Sequence, residues 1–211
     1  MNGISFDDIH SFHDLNLVLS KVEISPARAK SNFVDIPGGD GSVDLTEALG
    51  EVKYKDRECT FTFTAFPEDD FEEKKREVSN LINGKRCKIV VDKDPDYYWQ
   101  GRCFVNKYKS DRFAHTIVVQ ATVSPYKLYH DLTKVIVQAG ESVVKKLNNA
   151  RKTAIPTITN TAEATIVFGE YTVTLEPGTH RDPNIALVEG VNIVHVTSGA
   201  NVQFVWQEGD L

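Results

Sequence analysis

Asp92, Asp94 and Asp96 stand at alternate positions, the spacing of the first three ligands of a calcium loop. The rest of that loop is missing. Its sixth position is Tyr97, where a sharp turn needs glycine, and its twelfth is Cys103, where a bidentate glutamate belongs, so an acidic hairpin turn is expected instead. His10 and His13 are the one close pair among six histidines, and no nearby cysteine completes the set of three or more ligands that zinc requires. His115 and His195 fall in alternating apolar stretches and are expected at a core or its rim. Pro37-Gly38-Gly39-Asp40-Gly41-Ser42 is glycine-rich, but no Lys-Ser/Thr follows and no helix aims amides at a phosphate; it reads as a turn between strands. The chain has no GxSxG elbow, and Asp69 and Asp70 lie at the start of a predicted helix, where capping accounts for them. The expectation is a protein without catalytic residues, cofactor or metal.

The aromatic residues offer a different chemistry. Trp99 and Trp206, with Tyr97, Tyr98 and Tyr171, could stack on pyranose rings, although Trp206 alternates with Phe204 and Val202 in the manner of a core residue. Cys59, Cys87 and Cys103 are odd in number, form no CxxC and each lie in a strand-like stretch, so reduced buried thiols in a reducing compartment are expected.

The elements that must position these residues are mostly strands. Residues 59–65 alternate between an apolar face and a threonine face, and 113–121 and 15–19 repeat the pattern. One helix is predicted over 68–83: acids crowd its first turns, Lys74, Lys75 and Arg76 follow, and Phe71, Val78, Leu81 and Ile82 form a narrow apolar stripe. Asn83-Gly84 is expected to close it in the left-handed conformation. After Ser124-Pro125-Tyr126-Lys127 the strands shorten and turn residues recur at the rhythm of a small sandwich, placing a boundary near 128–134. Two domains follow, 1–130 and 131–211. In the second, Gly169-Glu170 is predicted as a type II′ hairpin turn, Pro177-Gly178 as a type II turn, and 191–196 with 202–206 as a terminal hairpin.

Composition excludes several classes. The 211 residues are 41% hydrophobic and 26% charged, as in a globular protein, and no apolar run approaches membrane-spanning length. Residues 1–20 carry Asp7, Asp8 and Asp14 and no Lys or Arg, so no secretory signal is expected. A net charge of −6 is not that of a surface built to neutralise nucleic-acid phosphates.

In order along the chain, Gly3-Ile4-Ser5-Phe6-Asp7-Asp8, the stretch from Val34 to Thr46 around Pro37-Gly38-Gly39-Asp40-Gly41, Tyr97-Tyr98 with Gly101-Arg102, Pro125-Tyr126-Lys127, Ile155-Pro156, Glu189-Gly190-Val191-Asn192-Ile193 and Gly209-Asp210-Leu211 resemble the distal tail proteins (Dit) of long-tailed bacteriophages. The resemblance covers almost the whole chain; Gly39 departs from it, since the family often has a polar residue there. It implies a mainly β protein, with an N-terminal β-sandwich bearing one α-helix, similar to tail-tube proteins, and a C-terminal galectin-like β-sandwich. It also implies a homohexameric ring at the tail tip of the virion, assembled in the host bacterial cytoplasm. Such a ring would join the tail tube protein to a tail-associated lysin-like baseplate protein and to receptor-binding proteins, and genome DNA would pass through it without specific binding. The galectin sugar motif His-x-Asn-x-Arg is absent, so the C-terminal sandwich is expected to serve as an attachment platform. Ring closure suits the physics, because it pairs strand edges that would otherwise stay open. The alternative is a carbohydrate-binding protein touching the host cell wall through Trp99 or Trp206.

Overall fold

A computed structural model describes residues 3–48, 50–66, 70–111 and 114–211. The chain is mainly β and divides into two compact units, Met1–Lys127 and Leu128–Leu211, each with its own apolar core.

The first unit contains β1 (Ile4–Phe6), β2 (Ile9–His10), β3 (Leu17–Ile24), β4 (Phe33–Asp35), β5 (Ser42–Asp44), β6 (Arg57–Ala65), α1 (Phe71–Ile82), β7 (Arg86–Val91), β8 (Tyr97–Ser110) and β9 (His115–Val123). Seven of the strands form one antiparallel path, β2-β1-β7-β8-β9-β6-β3. The period-2 pattern of β6 works as expected: Cys59, Phe61, Phe63 and Ala65 are buried and the intervening threonines face outward.

The path curls over on itself. β1 and β6 are four strand steps apart, about 19 Å in a flat sheet, yet the Phe6 and Phe61 rings meet edge to face with centroids 6.0 Å apart. Bulges between Leu19 and Lys21 in β3 and between Val105 and Lys107 in β8 supply local bending. One continuous sheet thereby forms both layers around Ile4, Leu17, Phe61, Phe63, Ile89 and Ile117.

Helix α1 begins at Phe71, with Asp70 as its cap accepting from the N–H groups of Glu72 and Glu73 at 3.0 and 3.1 Å. The predicted span 68–83 is therefore corrected at both ends: Asp70 is extended (ψ 97°) and caps the helix, Asn83 lies beyond it, and residues 68 and 69 lie outside the described residues. At the other end Asn83 is extended (φ −64°) and Gly84 alone takes the left-handed conformation (φ +76°), so the expected two-residue closure reduces to its glycine. Phe71, Val78 and Ile82 face the core, and Tyr108 of β8 fastens the helix: its hydroxyl bonds Ser79 Oγ and donates to the Lys75 carbonyl.

In the second unit are β11 (Thr133–Val137), β12 (Gly140–Asn149), β13 (Thr157–Asn160), β14 (Ala164–Phe168), β15 (Tyr171–Leu175), β16 (Gly178–His180), β17 (Gly190–Ser198), β18 (Val202–Trp206) and β19 (Gly209–Asp210); β10 (Lys127–Tyr129) spans the boundary. Two antiparallel four-stranded sheets, β11-β18-β13-β16 and β12-β17-β14-β15, bury Leu147, Ile158, Ile166, Val194, Val196 and Phe204 on their inner faces.

The Gly169-Glu170 turn forms as expected. Phe168 pairs with Tyr171 across it, Gly169 has φ +60°, and Glu170 stays at negative φ, as type II′ requires. Two other expectations are corrected. Gly178 has φ +156°, far from the roughly +80° of a type II turn, and opens β16, so Pro177-Gly178 carries the chain from one sheet to the other. Likewise β17 and β18 do not pair; residues 199–201 cross between the sheets, because each strand finds its ladder partners elsewhere, β17 in β12 and β14, β18 in β11 and β13.

Candidate functional site

Local structure engages the aspartate run. Asp92 Oδ2 accepts the Gly3 N–H at 2.6 Å, and the Asp92 carboxylate lies 3.2 and 3.3 Å from His10 Nε2. His10 Nδ1 accepts from the N–H groups of Phe12 and His13, each at 3.1 Å, which leaves Nε2 as the protonated nitrogen that donates to Asp92. The ring also explains Gly3, where a Cβ would stand 2.3 Å from His10 Cε1. Asp94 pairs with Lys127 Nζ at 2.7 Å, and that ammonium sits 3.8 Å from the Tyr97 ring centroid. Among the described residues, no group of three or more His, Cys, Asp or Glu side chains is placed to hold a metal ion.

His115 stacks on Phe71 at 4.4 Å and bonds Ser110 Oγ at 3.0 Å through Nδ1, a rim position as expected. His195, expected on a core face or its rim, is instead exposed on the outer face of β17, whose core positions are Asn192, Val194, Val196 and Ser198.

The tryptophans are core side chains. Trp99 is 7% exposed, with the Arg57 guanidinium 4.5 Å over its ring, and Trp206 is 2% exposed. Stacking on a pyranose requires an open aromatic face, so neither presents the sugar platform read from the sequence. Tyr98 lies against Lys88 Nζ at 4.4 Å, and the Tyr171 hydroxyl donates to Asp182 Oδ2 at 2.6 Å, a bond that holds the Asp182 carboxyl below its ordinary range. The three cysteines are free and buried. Burial pushes the Cys59 thiol up to about 11 and raises Cys87 and Cys103 as well, so they are packed thiols rather than ready nucleophiles.

Among the described residues, the segment around the expected turn at 37–42 exposes several large apolar side chains. Between β3 and β6 the chain leaves the sheet, bridges Ala29 to Tyr54, and ends in the β4–β5 ribbon, in which Phe33 faces Asp44, Val34 faces Val43 and Asp35 faces Ser42. No described residue from 28 to 51 is buried, and Phe33, Ile36, Val34 and Val43 are 60, 54, 45 and 43% exposed. Val34 and Val43 share one face of the ribbon; Phe33, Asp35 and Asp44 share the other. From 31 to 51 there are five acids (Asp35, Asp40, Asp44, Glu47 and Glu51) and no Lys or Arg. So short an isolated ribbon is marginal in water, and its apolar residues call for a covering surface. The signal available in the sequence was apolar alternation on both sides of the glycine turn, combined with that one-sided charge.

A second exposed area lies on the outer face of β12-β17-β14-β15, where Val191, Ile193 and His195 line a shallow depression of about 670 Å³ and Val144, 55% exposed, pairs across from His195.

No family model and no curated protein matches the chain. Among solved structures it is similar to the Dit (gp 19.1) protein of SPP1, described as a paradigm of the hub adsorption apparatus in phages that infect Gram-positive bacteria, with 14% sequence identity, a TM-score of 0.77 and 100% of both chains covered. The chain has the Dit fold from end to end.

Proposed function

We propose that this protein is a structural hub component of a bacteriophage tail tip, in which six copies form a ring between the tail tube and the baseplate. The observation that carries this reading is the likeness to the SPP1 Dit hub protein, which extends over both units with nothing left over on either chain. The ordered Dit-like motifs along the sequence support it independently. So does the β4–β5 arm, an ordered element whose exposed Phe33 and Ile36 gain burial only against something outside its own core. In this role the ring closed by the first unit joins the tail tube to the lysin-like baseplate protein and lets DNA pass, and the second unit helps hold receptor-binding proteins. The work is mechanical, and its setting is the virion tail, after assembly in the host bacterial cytoplasm. A carbohydrate-binding role would draw support from an open aromatic face, and Trp99 and Trp206 are covered.

Light scattering over a concentration series, with negative-stain imaging of the peak fractions, tests the reading. A hexamer mass and annular particles are expected. A protein that stays monomeric at high micromolar concentration and gives no rings would overturn it.

A further inference from the structure

On the outer face of the first unit, Arg86 of β7 and Arg102 of β8 are direct cross-strand partners, and Phe104 lies next along β8 on the same face. They border a groove of about 340 Å³ that also includes Asp56, Gly101 and Thr122. Like charges placed directly opposite each other across a ladder repel. Arg102 donates to the Gly84 carbonyl, but among the described residues neither guanidinium reaches a carboxylate; Asp56 in the same groove and Glu58 in the same cross-strand row both fall short of ion-pair distance. Phe104 is 41% exposed. Gly101, between Arg102 and the core-facing Trp99, has no room for a side chain, since a Cβ there would stand 2.2 Å from the Thr122 carbonyl oxygen.

The arm carries the complementary set. Phe33, Asp35 and Asp44 share one face of the β4–β5 ribbon, and both carboxylates are pre-positioned, Asp35 by Ser42 Oγ at 2.5 Å and Asp44 by the Thr46 N–H at 2.9 Å. Two carboxylates beside an aromatic ring match two guanidiniums beside an aromatic ring, and planar guanidinium groups favour paired bonds to carboxylates.

We propose that the acidic face of the β4–β5 arm docks into the Arg86–Arg102–Phe104 groove of a second copy of this chain. Asp35 and Asp44 meet the guanidiniums, Phe33 covers Phe104, and the repulsion between Arg86 and Arg102 is relieved. The two surfaces are different patches of one molecule, so the contact is heterologous and repeats from copy to copy until a ring closes. The proposal rests on the ring reading above and assigns it a contact.

The experiment is a charge exchange in the full chain, read by sedimentation velocity with circular dichroism confirming the fold. The arm variant carries Asp35→Lys and Asp44→Lys; the groove variant carries Arg86→Glu and Arg102→Glu. Each alone is expected to weaken assembly at least about tenfold, since close interfacial charge pairs couple strongly. Mixed in equal amounts, the two variants are expected to recover assembly, because each reversed arm then meets a reversed groove, and a chain carrying all four changes should recover it too. If both variants assemble like the native chain, or if folded variants fail to recover on mixing, the docking is wrong while the ring reading stands. A native chain that never assembles overturns the ring reading itself. Recovery in the four-change chain without recovery on mixing would place the arm in its own groove and overturn docking between copies.

Discussion

Asn192 on β17 lies directly opposite Leu147 on β12, and its side-chain Nδ2 donates to the Leu147 carbonyl oxygen at 3.3 Å. The same amide reaches the carbonyls of Val188 and Gly190 at 2.8 and 3.3 Å, while Oδ1 accepts the Val188 N–H at 3.0 Å. Gly190 turns the corner at φ +91°, and Asn192 ties that corner to the ladder. This gives a physical role to Glu189-Gly190-Val191-Asn192-Ile193, one of the elements through which the sequence resembles Dit proteins.

Replacing Asn192 by Ala should leave buried backbone groups without partners and destabilise the protein by about 2–3 kcal/mol. Urea unfolding monitored by circular dichroism measures it. Asn192→Asp should fare no better, because a carboxylate has no N–H to donate to these carbonyls. A midpoint unchanged in both variants would show that the corner holds without the clamp.

Phe61→Ala removes a fully buried ring where the curled sheet meets itself, at a cost of about 3–5 kcal/mol. Phe6→Ala should be non-additive with it, with a coupling of about 0.5–1.5 kcal/mol for the lost edge-to-face pair. Strict additivity in a double-mutant cycle would contradict the closure of β1 over β6.

Gly101→Ala should be far more damaging than Gly84→Ala. The first drives a Cβ against the Thr122 carbonyl and the Val123 Cα, both main-chain atoms of the neighbouring strand. The second meets open space and pays only for φ +76°, about 1 kcal/mol. Comparing thermal midpoints ranks the two.

The buried thiols predict alkaline sensitivity. Cys59 ionises near 9 when unfolded and at about 11 when folded, so its contribution is fully present below pH 9 and is lost as pH rises toward 11. Stability should decline across that window by about 1.4 kcal/mol per pH unit on account of Cys59. Cys59→Ala should flatten the decline at a cost in packing. Denaturant titrations at stepped pH measure both effects.

Tryptophan fluorescence should be blue-shifted and poorly quenched by iodide, because Trp99 and Trp206 are covered. Wall oligosaccharides should leave it unchanged; saturable quenching by a sugar would revive the carbohydrate-binding alternative.

The sequence alone determined what depends on near neighbours. The alternation of β6, the cap of α1 at Asp70 and the positive φ of Gly169 each follow from a few adjacent residues, since side-chain period, capping and turn geometry are local properties of the backbone. Several of the Dit-like motifs were legible for the same reason, since they mark a corner or a strand end with its own local requirement, as Gly190 and Asn192 do. Tertiary structure decided which strands share a sheet. Residues 191–196 and 202–206 look like a hairpin by spacing, yet they part to opposite layers, because burying both inner faces outweighs pairing with the nearest strand in sequence. The sheet's curl, the outward turn of His195 and the pairing of Arg86 with Arg102 likewise depend on residues far apart in the chain. The arm is the clearest case: the sequence shows Phe33 and Val34 beside a glycine turn, and only the three-dimensional arrangement shows that the chain's own core never reaches them.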